Sequence, residues 1–348
     1  MAFIQTIQSK RSTGALCERG RRGASFPSRA REWRLSPVFQ ALARLCLALP
    51  ILLSSCGTPV AITDGDQALH HVRKLVEIGA RPSGSPGFDK ARTYIVDQLK
   101  ALGLTAEVDR FPAETRRGPI EMSNIRCEIP GATKCVCLVL THYDTKKMDA
   151  KNTQGLEFVG ANDGGSGVGV LLELARHYSK EKPPMSLRLL FVDGEETQGS
   201  IEWNESDALW GSRHEVERMK KDKLFDTTKA VILLDMVGHK NLAILQESQA
   251  SARMVDAVRE AAKETGASKH FFAKTDPIRD DHIPFLEAGM PDVIDLIELP
   301  FGPVTQQNPN GRFWHTTEDT LDKLSAQSLQ IVGDVVIRAV GKLAKQYP

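Results

Sequence analysis

Five short stretches of this chain carry side chains that can do chemistry together: His142 with Asp144, Asp163, Glu195 with Glu196, Asp235, and His315. The most informative is Leu187 to Glu196, an apolar run that stops at a Gly turn bearing two adjacent carboxylates. Neighbouring side chains on an extended chain point to opposite faces, so Glu195 and Glu196 need not share a task. One can bind a metal while the other meets substrate as an acid or base. His142 and Asp144, two residues apart, point to the same side. Imidazoles and carboxylates are the nitrogen and oxygen ligands that suit Zn²⁺, with positions left open for substrate.

These residues need a scaffold that gathers them, and the surrounding pattern supplies one. The run from Leu187, together with Lys134 to Leu140 and Val231 to Leu234, reads as strands buried on both faces of a parallel sheet. Such sheets bind ligands outside the carboxyl ends of their strands. Neighbouring strands lie about 5 Å apart, so residues at their ends can converge. Helices are expected over Asp64 to Ile78, from the loop Arg81 to Gly87 on to about Leu102, and over Val168 to His177. Further helices are expected over Asp207 to Lys221, Ser251 to Thr265 and Ala326 to Ala344, with a short one entered at Arg279 to Leu286. Other strands are expected near Ala106 to Phe111, Ser123 to Glu128 and Val293 to Ile297. The expected fold is a single α/β domain: a central mixed, mostly parallel β-sheet flanked by helices on both faces. The glycine cluster Gly160 to Gly167 has neither phosphate-loop spacing nor a serine elbow around Ser166. Glycine there lets backbone crowd close behind Asp163.

A chain of 348 residues is long enough for one well-buried α/β domain. Lys plus Arg number 45 against 44 Asp plus Glu, so no global charge points to nucleic acid. The amino end differs. Residues 1–56 read as a basic leader with an apolar signal segment, Val38 to Leu53, too short for a spanning helix. Its ending, Leu53-Ser54-Ser55-Cys56, resembles a bacterial lipobox. The expectation is an exported protein, periplasmic or membrane-anchored through lipid on Cys56. Residues 57–64 read as a linker and 65–348 as the catalytic domain. Of six cysteines, Cys127, Cys135 and Cys137 sit in one hairpin-like stretch. Either Cys127 bridges to Cys135 across the Pro130-Gly131 turn, or all three are small buried hydrophobes.

Thr-His-Tyr-Asp at 141–144, Gly-Ala-Asn-Asp-Gly at 160–164, Asp-Gly-Glu-Glu at 193–196, Leu-Asp-Met-Val-Gly at 234–238 and Trp-His-Thr-Thr at 314–317 occur in this order. Together they resemble the M28 zinc peptidase superfamily, from about Gly65 to the end. The resemblance implies zinc on Asp163, Glu196 and His315, with Glu195 as general acid/base. In two-metal members His142 and Asp235 hold a second zinc and Asp163 bridges. Three further features resemble the animal-type glutaminyl cyclases of that superfamily. They are Trp203 with the segment Asp207 to His214, the motif Asp280 to Leu286 whose first Asp is catalytic, and Trp314 before the zinc His. The sequence departs from the cyclases in three places. Asp295 stands where they carry His, the loop Gly302 to Phe313 is longer, and Thr141 stands where a disulfide cysteine would be.

Cyclising an amino-terminal Gln needs its side-chain carbonyl polarised, a proton taken from the α-amine and one given to departing ammonia. Zinc does the first and a carboxyl with a raised pKa does both proton tasks. That carboxyl is Glu195, with Asp235 and Asp280 orienting groups by hydrogen bonds, and Trp203, Trp314 and Asp295 shaping the substrate pocket. One zinc suffices for cyclisation. Aminopeptidase chemistry uses the same parts with metal-activated water and two zinc ions. Both readings take peptide or protein N-termini as substrate. A catalytically silent binding domain is disfavoured, because all five ligands and Glu195 are present.

Overall fold

The computed structural model describes residues 61–149, 153–199 and 203–347. The leader, Cys56 and the first residues of the expected linker lie outside the described residues. The end of that linker is fastened: Asp334 Oδ1 accepts the N–H of Ile62 at 3.1 Å and of Thr63 at 2.7 Å. Asp64 then accepts from the N–H of Asp66 and Gln67 and so starts α1 (Gly65–Ile78). Ser85 caps α2 (Pro86–Ala101), with proline in its first turn.

β1 (Glu107–Thr115) and β2 (Gly118–Ile129) form an antiparallel hairpin turning at Arg116 and Arg117. Both strands outrun their expected lengths. Pro112 continues β1, which is an edge strand, where proline is tolerated. β3 (Val136–His142), α3 (Ser166–Tyr178) and β4 (Ser186–Val192) follow, then α4 (Trp210–Lys221) and β5 (Thr228–Asp235). The expected start of α4 at Asp207 falls in a separate single turn, Glu205–Asp207. β6 (Ile244–Glu247), α5 (Ala252–Glu264), β7 (Phe271–Asp276), α6 (Ile283–Glu287), β8 (Val293–Ile297) and α7 (Ala326–Ala344) complete the chain. β6 and β7 make a small parallel pair of their own, which the sequence pattern did not signal.

The six-stranded sheet runs β1-β2-β4-β3-β5-β8. β4, β3, β5 and β8 are mutually parallel, and β2 joins β4 antiparallel, so the sheet is mixed and mostly parallel as expected. Alternate residues feed two cores. Val139, Leu189 and Ile232 pack with α1, α2, α3, α5 and α7, while Leu138, Leu190 and Leu233 pack with α4 and α6. Burial on both faces is why these strands read as unbroken apolar runs. The strand order also decides between the two cysteine readings, against the bridge. β4 lies between β2 and β3, so Cys127 and Cys135 do not face each other across a hairpin. Cys127 stands opposite Leu189 and Cys137 opposite Leu187, and all three thiols are free.

Candidate active site

The carboxyl ends of the parallel strands bring the chemistry together. His142 closes β3 opposite Val192, and Asp235 closes β5 opposite Ile297. Asp163 lies on the loop entering α3, where Gly164 takes φ +70°. A Cβ on Gly164 would meet the Asp144 carbonyl oxygen at 2.2 Å, so the expected crowding behind Asp163 is present. Gly194, also at φ +70°, turns the chain after β4 and sets Glu195 and Glu196 over the sheet edge. His315 at φ +51° and Met236 at φ +48° are left-handed without being glycine. Such conformations cost about 1–3 kcal/mol each and gather at functional sites.

His315 Nε2 lies 3.4 Å from Asp163 Oδ2 and 3.2 Å from Glu196 Oε1. Both oxygens are buried and neither has a hydrogen-bond partner. The ligand atoms of Asp163, Glu196 and His315 lie within 4.8 Å of one another. Unpaired buried carboxylate oxygens aimed at an imidazole nitrogen are costly unless a cation fills the gap, so this donor set fits a divalent metal ion. A second such group adjoins it: His142 Nε2 is 3.2 Å from Asp163 Oδ1 and 3.1 Å from Asp235 Oδ1. Asp163 thus offers one oxygen to each group.

Buried charge holds these ligands in place. The Asp144 carboxylate accepts the backbone N–H of Glu195 and of Glu196, each at 3.3 Å, and lies 3.5 Å from His142 Nδ1. Lys146 Nζ sits 3.2 Å from Glu196 Oε2. Burial alone would raise the Glu196 pKa, but His315 and Lys146 hold it well below the usual carboxylate range. The buried Arg81 guanidinium donates to the carbonyls of Tyr143, Val159 and Gly160, tying the His142 and Asp163 loops together. Burial lowers its pKa to about 10.

Over these groups opens a cavity of about 320 Å³, lined by Glu195, Asp235, Asp280, Trp203, Trp314 and Arg279 among others. Trp203 Nε1 donates to Glu195 Oε1 at 3.3 Å, and Trp314 stacks on His315 with ring centroids 3.7 Å apart. Burial, then the charges of Asp280 and Glu196, push the Glu195 carboxyl well above its ordinary value. Burial and Asp235 do the same to Asp280. Asp295, expected in the pocket wall, does not line the cavity. It pairs with Leu233, whose side chain faces α4 and α6, so it points to that side of the sheet. There it is fully buried, 3.5 Å from His282 Nδ1, and His282 in turn lies 3.7 Å from Glu247.

The sequence model of peptidase family M28 matches residues 124–340. The chain belongs to peptidase family M28. Among solved M28-like structures, glutaminyl cyclase from an Acidobacteriales bacterium is 36% identical with a TM-score of 0.76, over 84% of this chain and 98% of that one. A zinc-dependent exopeptidase from Parabacteroides distasonis is 25% identical with a TM-score of 0.71, over 80% of this chain and 98% of that one. The glutaminyl-peptide cyclotransferase-like protein of Bos taurus is 32% identical over 268 residues, 69% of this chain and 66% of that protein.

Several residues of this M28 site escaped the sequence reading. Asp319 accepts the N–H of Asn162 and Asp163 at 2.8 and 3.0 Å, and burial pushes its pKa up to about 8. Its position four residues after His315 was the available signal. The burial of Arg81, in the loop Arg81 to Gly87, and of Lys146 had no signal, because charged side chains are by default solvated. Arg279, beside the Asp280 motif, carries no signal of its own in the sequence.

Proposed function

We propose that this M28 protein is a zinc-dependent glutaminyl-peptide cyclotransferase, converting the amino-terminal Gln of peptides to pyroglutamate with release of ammonia. The observation that carries the reading is one small cavity in which the buried carboxyls of Glu195 and Asp280 meet between Trp203 and Trp314. A metallopeptidase needs one such acid/base carboxyl, and the second is suited to holding the Gln side chain. The resemblance to glutaminyl cyclases supports the same reading.

Asp163, Glu196 and His315 would hold one zinc ion. When bound, zinc acts as a Lewis acid toward the Gln side-chain carbonyl. The lone pair of the neutral substrate α-amine attacks the side-chain Cδ, and Glu195 accepts a proton from that nitrogen as it does so. As the new C–N bond forms and the amide C–N bond breaks, Glu195 returns that proton to the leaving nitrogen, and ammonia departs. The raised pKa of Glu195 suits both transfers. Trp203 holds Glu195 in position by its indole N–H. Asp280 and Asp235, both on the cavity wall, accept hydrogen bonds from the substrate amide and amine. The deciding assay follows ammonia from Gln-peptides beside hydrolysis of Leu-peptides.

One observation favours a second reading. His142, Asp163 and Asp235 form a second group able to hold a metal, as a two-zinc aminopeptidase requires. Under that reading Leu-peptides are hydrolysed and no pyroglutamate forms.

Among the described residues no helix is long and apolar enough to cross a membrane. From Leu53-Ser54-Ser55-Cys56 we further propose export and lipid anchoring at Cys56. Intact-mass spectrometry of native protein tests this: a diacylglycerol adduct on Cys56 is expected, and a cytosolic chain retaining Met1 would rule it out.

A further inference from the structure

We infer that Arg279 reads the residue following the amino-terminal Gln and favours an acidic one, so that peptides beginning Gln-Glu or Gln-Asp are the preferred substrates of this site. The inference rests on the cyclotransferase reading above and deepens it.

The first support is depth. Glu195 and Asp280 are 8% and 3% exposed, whereas the side chain of Arg279 is 48% exposed on the wall of the same cavity. A cavity of about 320 Å³ is at the small end for ligand sites and holds little more than one residue. With the Gln amine and amide at Glu195 and Asp280, the second residue must lie across the mouth, where Arg279 stands.

The second support is charge. The lining holds four carboxylates, Asp163, Glu195, Asp235 and Asp280, and Arg279 is the one Lys or Arg among the described residues that line it. The guanidinium is pre-positioned. Nε and Nη2 both bond the Glu205 carboxylate, and Nη2 lies 3.4 Å from Glu287 Oε1. Arg213 also approaches Glu205, at 3.9 Å, so the rim group of two Arg and two Glu is close to neutral. Selection must therefore come from direct contact and not from long-range steering. The contact available is Nη1, which has no hydrogen-bond partner among the described residues. An arginine fork already held on one side accepts a further carboxylate with little loss of side-chain freedom. A Lys at position two meets the same guanidinium and gains nothing.

The test uses the zinc-loaded full-length protein and three C-terminally amidated peptides, Gln-Glu-Ala, Gln-Ala-Ala and Gln-Lys-Ala, with ammonia release as the signal. For the wild type, kcat/KM should favour Gln-Glu over Gln-Ala by about two- to fivefold, the size of one solvent-accessible ion pair, with Gln-Lys lowest. The difference should sit mainly in KM, because Arg279 is remote from the reacting atoms, and should shrink at about 0.5 M salt. Arg279→Gln should level the three peptides, and Arg279→Glu should reverse their order. Each comparison is a ratio within one protein, so the folded fraction cancels. Equal kcat/KM for all three peptides at low salt, or an unchanged order in Arg279→Glu, would overturn the inference while leaving cyclisation intact. Absence of ammonia from every peptide would instead remove the cyclotransferase reading, and this inference with it.

Discussion

The carboxylate of Asp319 accepts the backbone N–H of Asp163 at 3.0 Å, across 156 residues of sequence. It takes the N–H of Asn162 as well, so the loop carrying the shared ligand candidate is fastened to the segment that carries His315. Asp319→Ala leaves two buried N–H groups unpaired, at about 1–3 kcal/mol apiece. A fall in melting temperature is expected, with zinc affinity weakened roughly ten- to a hundredfold, the usual effect of losing an outer support. Asp319→Asn, which keeps one acceptor oxygen, should lie between. Competition against a chromophoric chelator measures the affinity, and a wild-type value in Asp319→Ala would show that other contacts hold the loop.

Zinc dependence is the second expectation. Treatment with 1,10-phenanthroline should abolish turnover and lower the melting temperature, and added zinc should restore both, because a ligand bound only by the native state stabilises it. The stability arm reads metal binding without relying on catalysis. It rests on Asp163 Oδ2 and Glu196 Oε1, buried and unpaired beside His315. Full activity in protein shown metal-free by elemental analysis would sink the idea.

How much of this was visible in the sequence depends on where each residue gets its environment. The strands β3, β4 and β5 were legible because burial on both faces leaves an unbroken apolar run. The convergence of His142, Asp163, Glu196, Asp235 and His315 was legible because three of them, His142, Glu196 and Asp235, sit at strand ends or the turn beside one. Sheet order was not. Nothing local in Cys127 to Cys137 signals that β4 inserts between β2 and β3, and the hairpin reading failed there. The place of Asp295 behind the cavity was hidden for a related reason: which face a β8 residue takes is set by its register with Leu233 on β5. The burial of Arg81 and Lys146 was invisible because the loop carbonyls of Val159 and Gly160 and the Glu196 carboxylate that pair with them are distant in sequence.

A pH dependence follows from His71 on α1. Its ring is buried with Nδ1 2.7 Å from the Tyr94 hydroxyl, and burial, with His70 and Arg176 nearby, lowers its pKa to about 4. The unfolded chain takes up this proton near pH 6.5, where the folded chain refuses it. This contribution is therefore fully present above about pH 6.5 and is lost as pH falls toward about 4, by up to roughly 3 kcal/mol. His71→Gln should flatten the stability curve in that window. Urea unfolding at about pH 7, 5.5 and 4.5 checks it, and parallel curves for the two proteins would refute the assignment.

The last prediction separates the two enzyme readings through Glu195 and Asp280. Glu195→Gln keeps the side-chain shape but cannot carry a proton, so the rate should fall roughly a hundred- to ten-thousand-fold with zinc still bound. Glu196→Gln, one residue on, should instead lose metal, because Glu196 Oε1 lies 3.2 Å from His315 Nε2 in the ligand group. Asp280 belongs to neither metal group yet lines the cavity with Glu195. If it orients the Gln amide, Asp280→Ala should cripple cyclisation with zinc content unchanged. An aminopeptidase acting on Leu-peptides has no Gln amide to orient, and its hydrolysis should be indifferent to the same change. Wild type and the three variants are therefore compared for ammonia release from Gln-peptides, Leu-peptide hydrolysis and zinc content. Robust Leu hydrolysis without pyroglutamate, unaffected in Asp280→Ala, would replace the cyclotransferase reading with the peptidase one.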